Sequence, residues 1–565
     1  MRRRCLLFVL AFLFPSAGEA ADAAGARSGR NAWCGTARDG ARDAVWAHRE
    51  RRERRGVEAR SLRRSLDVGQ IAVVMDEGDL ALVANAMDLQ EAALRFSPAA
   101  TGYSVSRLAL PLEPDTGTRL ALGDDDSRLV RLSFEFPFYG KTHSEVFVNS
   151  DGNLTFDDPD DASTARSVGR LVGGPPRVAP LLADLNPEVG GSVSVQDLRD
   201  HATVTWRAVP QFDHSDRNTL QVTLWADGRV DFVYDRELSS AIEEGVTGIA
   251  PGAGQGGLTA ADFSTAAALS SGAGALAESF RTEDGLDTVA VARKFYASHP
   301  DDYHQLVVFT SRRLVASTTF AYEQNVRNSD AGIGVGDADL SADYGSGGRL
   351  ESFITMDAIS KYPDDLSRRF LGEDSALSVL AHEVGHRWLV NALFRDTAAN
   401  SQELLGRDEV HWSFFVDTDG SFLEGNDIQP QSDGRFRTMG AGLRYSAIDQ
   451  YLMGMRDASE VPPFFLVRAP SGTGDTDPGR SPQTGVTFAG TRRDVSIADV
   501  VAALGARRPA GAPWAAPFRQ AFVYVAVGGP PDPAALEKVE RIRAAWPAFF
   551  AQSVEGRGGV DPTLN

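Results

Sequence analysis

Cysteine, lysine and histidine are all scarce in this 565-residue chain, and each scarcity excludes something. Two cysteines, Cys5 and Cys34, cannot build a disulfide framework, so the fold must rest on its apolar core. Lysine occurs only at 141, 294, 361 and 538, and arginine makes up the rest of the 57 basic residues, which is the coding bias of a GC-rich, bacterial genome. The 77 acidic residues leave a net charge of −20, which argues against nucleic acid as a partner. The longest apolar run, Cys5 to Phe14, is ten residues. That is too short to span a bilayer, so no stable membrane anchor is expected.

What is present begins with an export signal. Arg2, Arg3 and Arg4 precede the apolar run, and small residues around Ala20 offer a cleavage site. The mature product is expected to be secreted, with Cys34 as its single thiol. A following region, 21–126, reads as a leader or propeptide. It carries an arginine-rich stretch whose Glu50 and Arg54 sit at helical spacing, so a solvated helix is expected. Residues 70–75 then read as a strand.

From 127 to 252 the chain shows short alternating runs divided by turn residues, the pattern of an antiparallel β domain. Val146-Phe-Val-Asn-Ser-Asp-Gly-Asn-Leu-Thr-Phe156 is two strands about a Ser-Asp-Gly turn. With Phe136-Pro-Phe-Tyr-Gly140 and Ala183-Asp-Leu-Asn186, this segment resembles nidogen-like extracellular domains. The resemblance implies a β-sandwich-like module that binds or spaces. Residues 253–280 are rich in glycine, alanine and serine and read as a connector.

Beyond the connector, a helical stripe, strands at 305–310 and 350–356, and a helix from about 374 to 393 suggest an α+β catalytic domain over 281–460. The second helix contains His382-Glu-Val-Gly-His386. At 3.6 residues per turn, His382 and His386 share a face and can reach one metal ion, while Glu383 lies about 100° round the axis, placed to take a proton from water. Zinc catalysis needs a third protein ligand and an open position. Ala392 stands where the compact motif would carry a third histidine. His411, the only histidine downstream, is the leading candidate, with Glu424, Glu409 and Glu403 as alternatives.

These residues, with His411-Trp-Ser-Phe-Phe415, Leu423-Glu-Gly-Asn426 and Tyr445-Ser-Ala-Ile-Asp-Gln-Tyr451, resemble secreted bacterial zinc metallopeptidases of the zincin type. The resemblance implies a Zn2+ enzyme acting on protein or peptide substrates, with Glu383 as general base. It further implies that the strand at 350–356 is the edge that aligns substrate, and that Tyr445 or Tyr451 is a candidate for oxyanion stabilisation. A methionine turn beneath the metal would fall at 421–423, where leucine replaces methionine; Met453 is another candidate floor. Asp417, Asp419, Glu424 and Asp427 form an acidic cluster that could hold Ca2+, although its spacing does not fit the twelve-residue calcium loop. Cys34 could cap the zinc of a latent enzyme, or be a buried or intermolecular thiol. The tail, 461–565, reads as an α/β extension of the catalytic domain. The alternative to a peptidase is an extracellular binding or adhesion protein that uses the nidogen-like module, with a structural or inactive metal site.

Overall fold

The computed structural model describes residues 34–55, 65–265, 269–317, 319–441, 444–474, 476–510 and 514–565; the expected signal peptide, 1–20, lies outside them. The chain is multidomain and rich in strands. Two antiparallel-dominated sheets, of seven and eight strands, enclose one core that includes Phe96, Phe136, Phe156, Trp206, Phe232 and Phe263. The alternation seen in the sequence places Leu220, Val222 and Leu224 of one strand into that core. At the Ser150-Asp-Gly152 turn only glycine fits. Gly152 has φ +67°, and a Cβ there would lie 2.2 Å from the Leu181 carbonyl oxygen.

The limits of this unit differ from those expected. Strands Ala93–Pro98, Tyr103–Leu108 and Thr118–Leu120 come from the supposed leader and belong to the eight-stranded sheet. The supposed connector supplies Leu258–Ala260 and the buried strand Ala275–Arg281 to the other sheet. Its small residues mark close packing instead of a spacer. A Cβ on Gly256 or Gly274 would sit 2.4 Å from the facing backbone.

A second sheet system is assembled from distant parts of the chain, in the order Leu66–Val68, Ile71–Asp76, Phe518–Val527, Gln305–Thr310, Ser352–Ala358, Tyr322–Asn325. The four inner strands are parallel, and Tyr322–Asn325 runs antiparallel at the edge. Successive residues of the inner strands go to opposite faces. Val307, Phe309, Phe522 and Tyr524 enter one core, and Leu306, Val308, Val523 and Val525 the other. Helices Ala376–Gly385 and Pro533–Ser553 contribute to the first core, and helix Thr288–Tyr296 to the second. The expected boundary of 281–460 therefore does not hold, because the sheet needs residues 71–76 and 518–527 at its centre. The helices cover both faces instead of being segregated as the α+β expectation had it. A small closed barrel, built from strands between Val416 and Val495, packs its own cluster of Phe414, Phe415, Phe465 and Phe488.

The arginine-rich helix, Gly40–Arg55, is not simply solvated. Ala41, Val45, Trp46, His48 and Glu50 are buried, and the helix bridges the two units. Asp287 accepts from Arg51 Nε at 2.5 Å and lies 2.9 Å from His48 Nδ1, while Glu50 accepts from Ser279 N at 3.1 Å and Glu53 from Ala260 N at 2.8 Å. Ala41, Val45 and Trp46 enter the apolar cores, and buried polar side chains complete the docking, so the apolar face is too narrow to stand out against the arginines. No helix among the described residues is long and apolar enough to cross a membrane.

Candidate metal centre

Helix Ala376–Gly385 starts in a reciprocal cap, with Ser375 accepting from Ser378 N and Ser378 from Ser375 N. It is buried along its whole length. It ends well short of the expected 393, because His386 is its C-cap and Val390 N leaves to bond the Val410 carbonyl. His386 keeps helical dihedrals, φ −58° and ψ −21°, so the four-residue spacing still sets both imidazoles on one side.

His411 joins them. His386 Nε2 lies 3.0 Å from His382 Nε2, which lies 3.2 Å from His411 Nε2. Each ring is fixed from behind by a backbone carbonyl on Nδ1: Phe422 at 2.6 Å for His382, Leu389 at 3.1 Å for His386 and Arg407 at 2.8 Å for His411. An Nδ1–H donated to a carbonyl leaves the Nε2 lone pair facing inward, the tautomer a metal ligand needs. Burial pushes His386 down to about 3 and holds His382 and His411 well below the ordinary imidazole range, so all three are neutral. Three neutral acceptor nitrogens converging in a buried space repel one another unless a cation lies between them. A tetrahedral ion at about 2.0–2.1 Å from each nitrogen sets donors roughly 3.3 Å apart, close to what is seen. The donor set therefore fits a metal such as zinc.

Glu383 lies beside the cluster. Burial pushes its carboxyl up to about 8, against the hydrogen bonds from Cys34 and Thr36, and its Oε1 has no hydrogen-bond partner. Glu424, the alternative ligand, instead forms a buried ion pair with Arg407 Nη2 at 2.8 Å and accepts from Ser481 Oγ at 3.1 Å. The same Arg407 Nη2 is 2.9 Å from His411 Nε2. Tyr445 donates to the Ala381 carbonyl at 2.5 Å, and the Tyr451 hydroxyl accepts from Arg507 N at 3.2 Å. The Tyr445 proton is thus spent on a backbone carbonyl instead of an oxyanion, and the Tyr451 hydroxyl is held by the backbone at Arg507. The turn at 421–423 does lie beneath the helix: the Phe422 carbonyl holds His382, and Leu423 packs on Gly385, whose added Cβ would lie 2.7 Å from Leu423 Cδ2. Met453 is an ordinary core residue. Asp417, Asp419 and Asp427 offer oxygens within 4.8 Å of one another, but Glu424 is not among them.

Two features lie outside the sequence expectations. The sheet edge is Tyr322–Asn325, because Ser352–Ala358, which includes most of the strand expected there, is paired on both sides. Arg407, four residues before His411, reaches the cluster with no motif to mark it. Cys34, a candidate cap for the zinc, does lie beside the cluster: its Sγ is 3.4 Å from His386 Nε2 and 3.6 Å from Glu383 Oε2.

Residues 102–297 match the model of the NIDO-related domain family, which extends beyond the expected 127–252 on both sides and agrees with the strands that 93–120 and 258–281 add to the two sheets. No peptidase family was matched. No solved structure matches the chain.

Proposed function

We propose that this protein is an exported zinc-dependent endopeptidase, with its metal held by His382, His386 and His411 and with Glu383 as general base. The observation that carries the proposal is the convergence of three carbonyl-anchored imidazole nitrogens beside a buried glutamate with a free oxygen. When bound, zinc supplies a Lewis acid that polarises a carbonyl and makes water acidic near neutral pH. Glu383, beside the histidines with Oε1 unpartnered, is suited to take a proton from water and return it to the leaving amine. Arg407 Nη1 holds a peptide carbonyl, that of Cys34, at 2.8 Å, and is suited to the oxyanion role that Tyr445 does not fill. The edge strand Tyr322–Asn325 suits an extended peptide added to the sheet. The NIDO-related domain would then bind or orient macromolecular substrate.

A second reading has one observation in its favour. Cys34 with three histidines makes a four-ligand set, the type found in closed structural zinc sites. In that reading the chain is an extracellular binding or adhesion protein working through its NIDO-related domain. Cleavage of an unfolded protein, assayed with Cys34→Ser to open the metal's fourth position, separates the two. The peptidase reading expects about one zinc per chain and hydrolysis that Glu383→Gln abolishes. Bound zinc without hydrolysis favours the structural reading.

A further inference from the structure

The parts assembled for catalysis are all engaged by three consecutive residues of the leader. Cys34 Sγ faces the histidine nitrogens and lies with them in a group whose ligand atoms are all within 4.8 Å of one another. The Cys34 carbonyl accepts from Arg407 Nη1 at 2.8 Å. Gly35 N donates to the Ala321 carbonyl at 2.9 Å, so the leader starts along the approach to the sheet edge. Thr36 Oγ1 accepts from Glu323 N at 2.7 Å on that edge and donates to Glu383 Oε2 at 3.2 Å. Cys34 and Thr36 are both buried. A cysteine merely packed in the core would have no reason to bring a carbonyl to the buried arginine and a hydroxyl to the buried glutamate.

We propose that Cys34 is the fourth protein ligand of the metal centre and that residues 34–36 lie in the cleft as a built-in pseudosubstrate, so that the chain folds as a latent enzyme. This rests on the peptidase reading above. Ligation requires the thiolate: the S–H bond breaks as sulfur binds the metal, and the proton passes through Glu383, whose Oε2 is nearest, to solvent. Latency then has three parts. The position needed for water is filled, the general base is held by Thr36, and Arg407 is occupied by a carbonyl.

The segment is fastened from outside the cleft as well. Gln324 Nε2, on the edge strand, donates to the Gly40 carbonyl at 3.1 Å where the leader helix begins. That helix is tied to both units through Asp287, Ser279 and Ala260. Displacing Cys34 therefore means lifting a short strap between a fixed helix and the metal, without unfolding either unit. The blocker is intramolecular, so it needs no great intrinsic affinity to keep the site closed.

The test uses the full chain loaded with cobalt(II), whose bond to a thiolate gives a near-ultraviolet charge-transfer band. Wild type is expected to bind one cobalt with that band. Cys34→Ser should retain the cobalt, lose the band, and cleave an unfolded protein about 100-fold faster or more when loaded with zinc, because the sulfur is the one contact of the segment that fills the position needed for water. Cys34→Ala serves as a second variant should the serine protein not fold. Cobalt bound without a thiolate band in wild type overturns ligation by Cys34 and leaves the peptidase reading standing. A band together with equal cleavage by wild type and Cys34→Ser overturns latency alone. A band with no cleavage by either overturns latency and the peptidase reading together, leaving a structural four-ligand site. Absence of stoichiometric metal from every form overturns both.

Discussion

Each of the two units holds a cluster of ionisable groups, and the clusters are built to opposite plans. In the two-sheet unit Asp125, Asp151 and Asp184 come together, and Arg166 sits among them at 2.5, 2.8 and 3.0 Å. Arg170 adds a further contact to Asp151 at 3.5 Å. That cluster contains its own counter-charge and is complete as protein. Around His382, His386 and His411 the facing atoms are three acceptors, and the one nearby guanidinium, Arg407, reaches only His411 among them while also serving Glu424 and the Cys34 carbonyl. Glu383 Oε1 and Glu424 Oε2 are buried there without partners. The two-sheet cluster reads as architecture, and the histidine cluster as a site with a component still to be bound.

The comparison can be broken most sharply at the histidine site. With Cys34 replaced by serine, Glu383→Gln should lower peptide cleavage by about 10²–10⁴-fold, the range for a general base, while zinc content is unchanged. His411→Ala should abolish the same activity by releasing the ion, as read by metal content. At the two-sheet cluster, Arg166→Met should leave metal content untouched and cost about 3 kcal/mol at most in chemical denaturation of the full chain, because the buried Asp151 keeps only its longer contact with Arg170. Glu424→Gln weakens the support of Arg407 and not the ligand set, so zinc affinity should fall by about 10–100-fold at most. A loss as complete as that of His411→Ala would make Glu424 the ligand instead. The smallest effect is expected for Leu423→Met under Gly385, under about 1.5 kcal/mol for a swap that conserves volume, with cleavage little changed.

Legibility in the sequence followed distance along the chain. His382 and His386 were evident because one helical turn relates them, and His411 because histidine is so scarce. Strands such as 305–310 and the pair about the Ser150-Asp-Gly152 turn stood out through composition and alternation. What pairs with what did not: Ile71–Asp76 lies beside Phe518–Val527, and no local pattern encodes such a pairing. The same holds for Cys34 and Glu383, which are 349 residues apart. Composition misled at 253–280, where glycine and alanine serve close approach of backbones, and in the leader helix, where polar contacts supplement a narrow apolar face. Arg407 and the edge strand Tyr322–Asn325 carry no motif, and only the assembled sheet and loop reveal them.

The central claim is that three histidines and Cys34 hold one metal ion. X-ray absorption at the zinc edge, on the full chain purified with stoichiometric zinc, tests it most directly. The account predicts three nitrogens at about 2.0–2.1 Å and one sulfur at about 2.3 Å, with the sulfur replaced by a lighter donor in Cys34→Ser. Zinc surrounded only by oxygen, or no zinc retained at all, would contradict it.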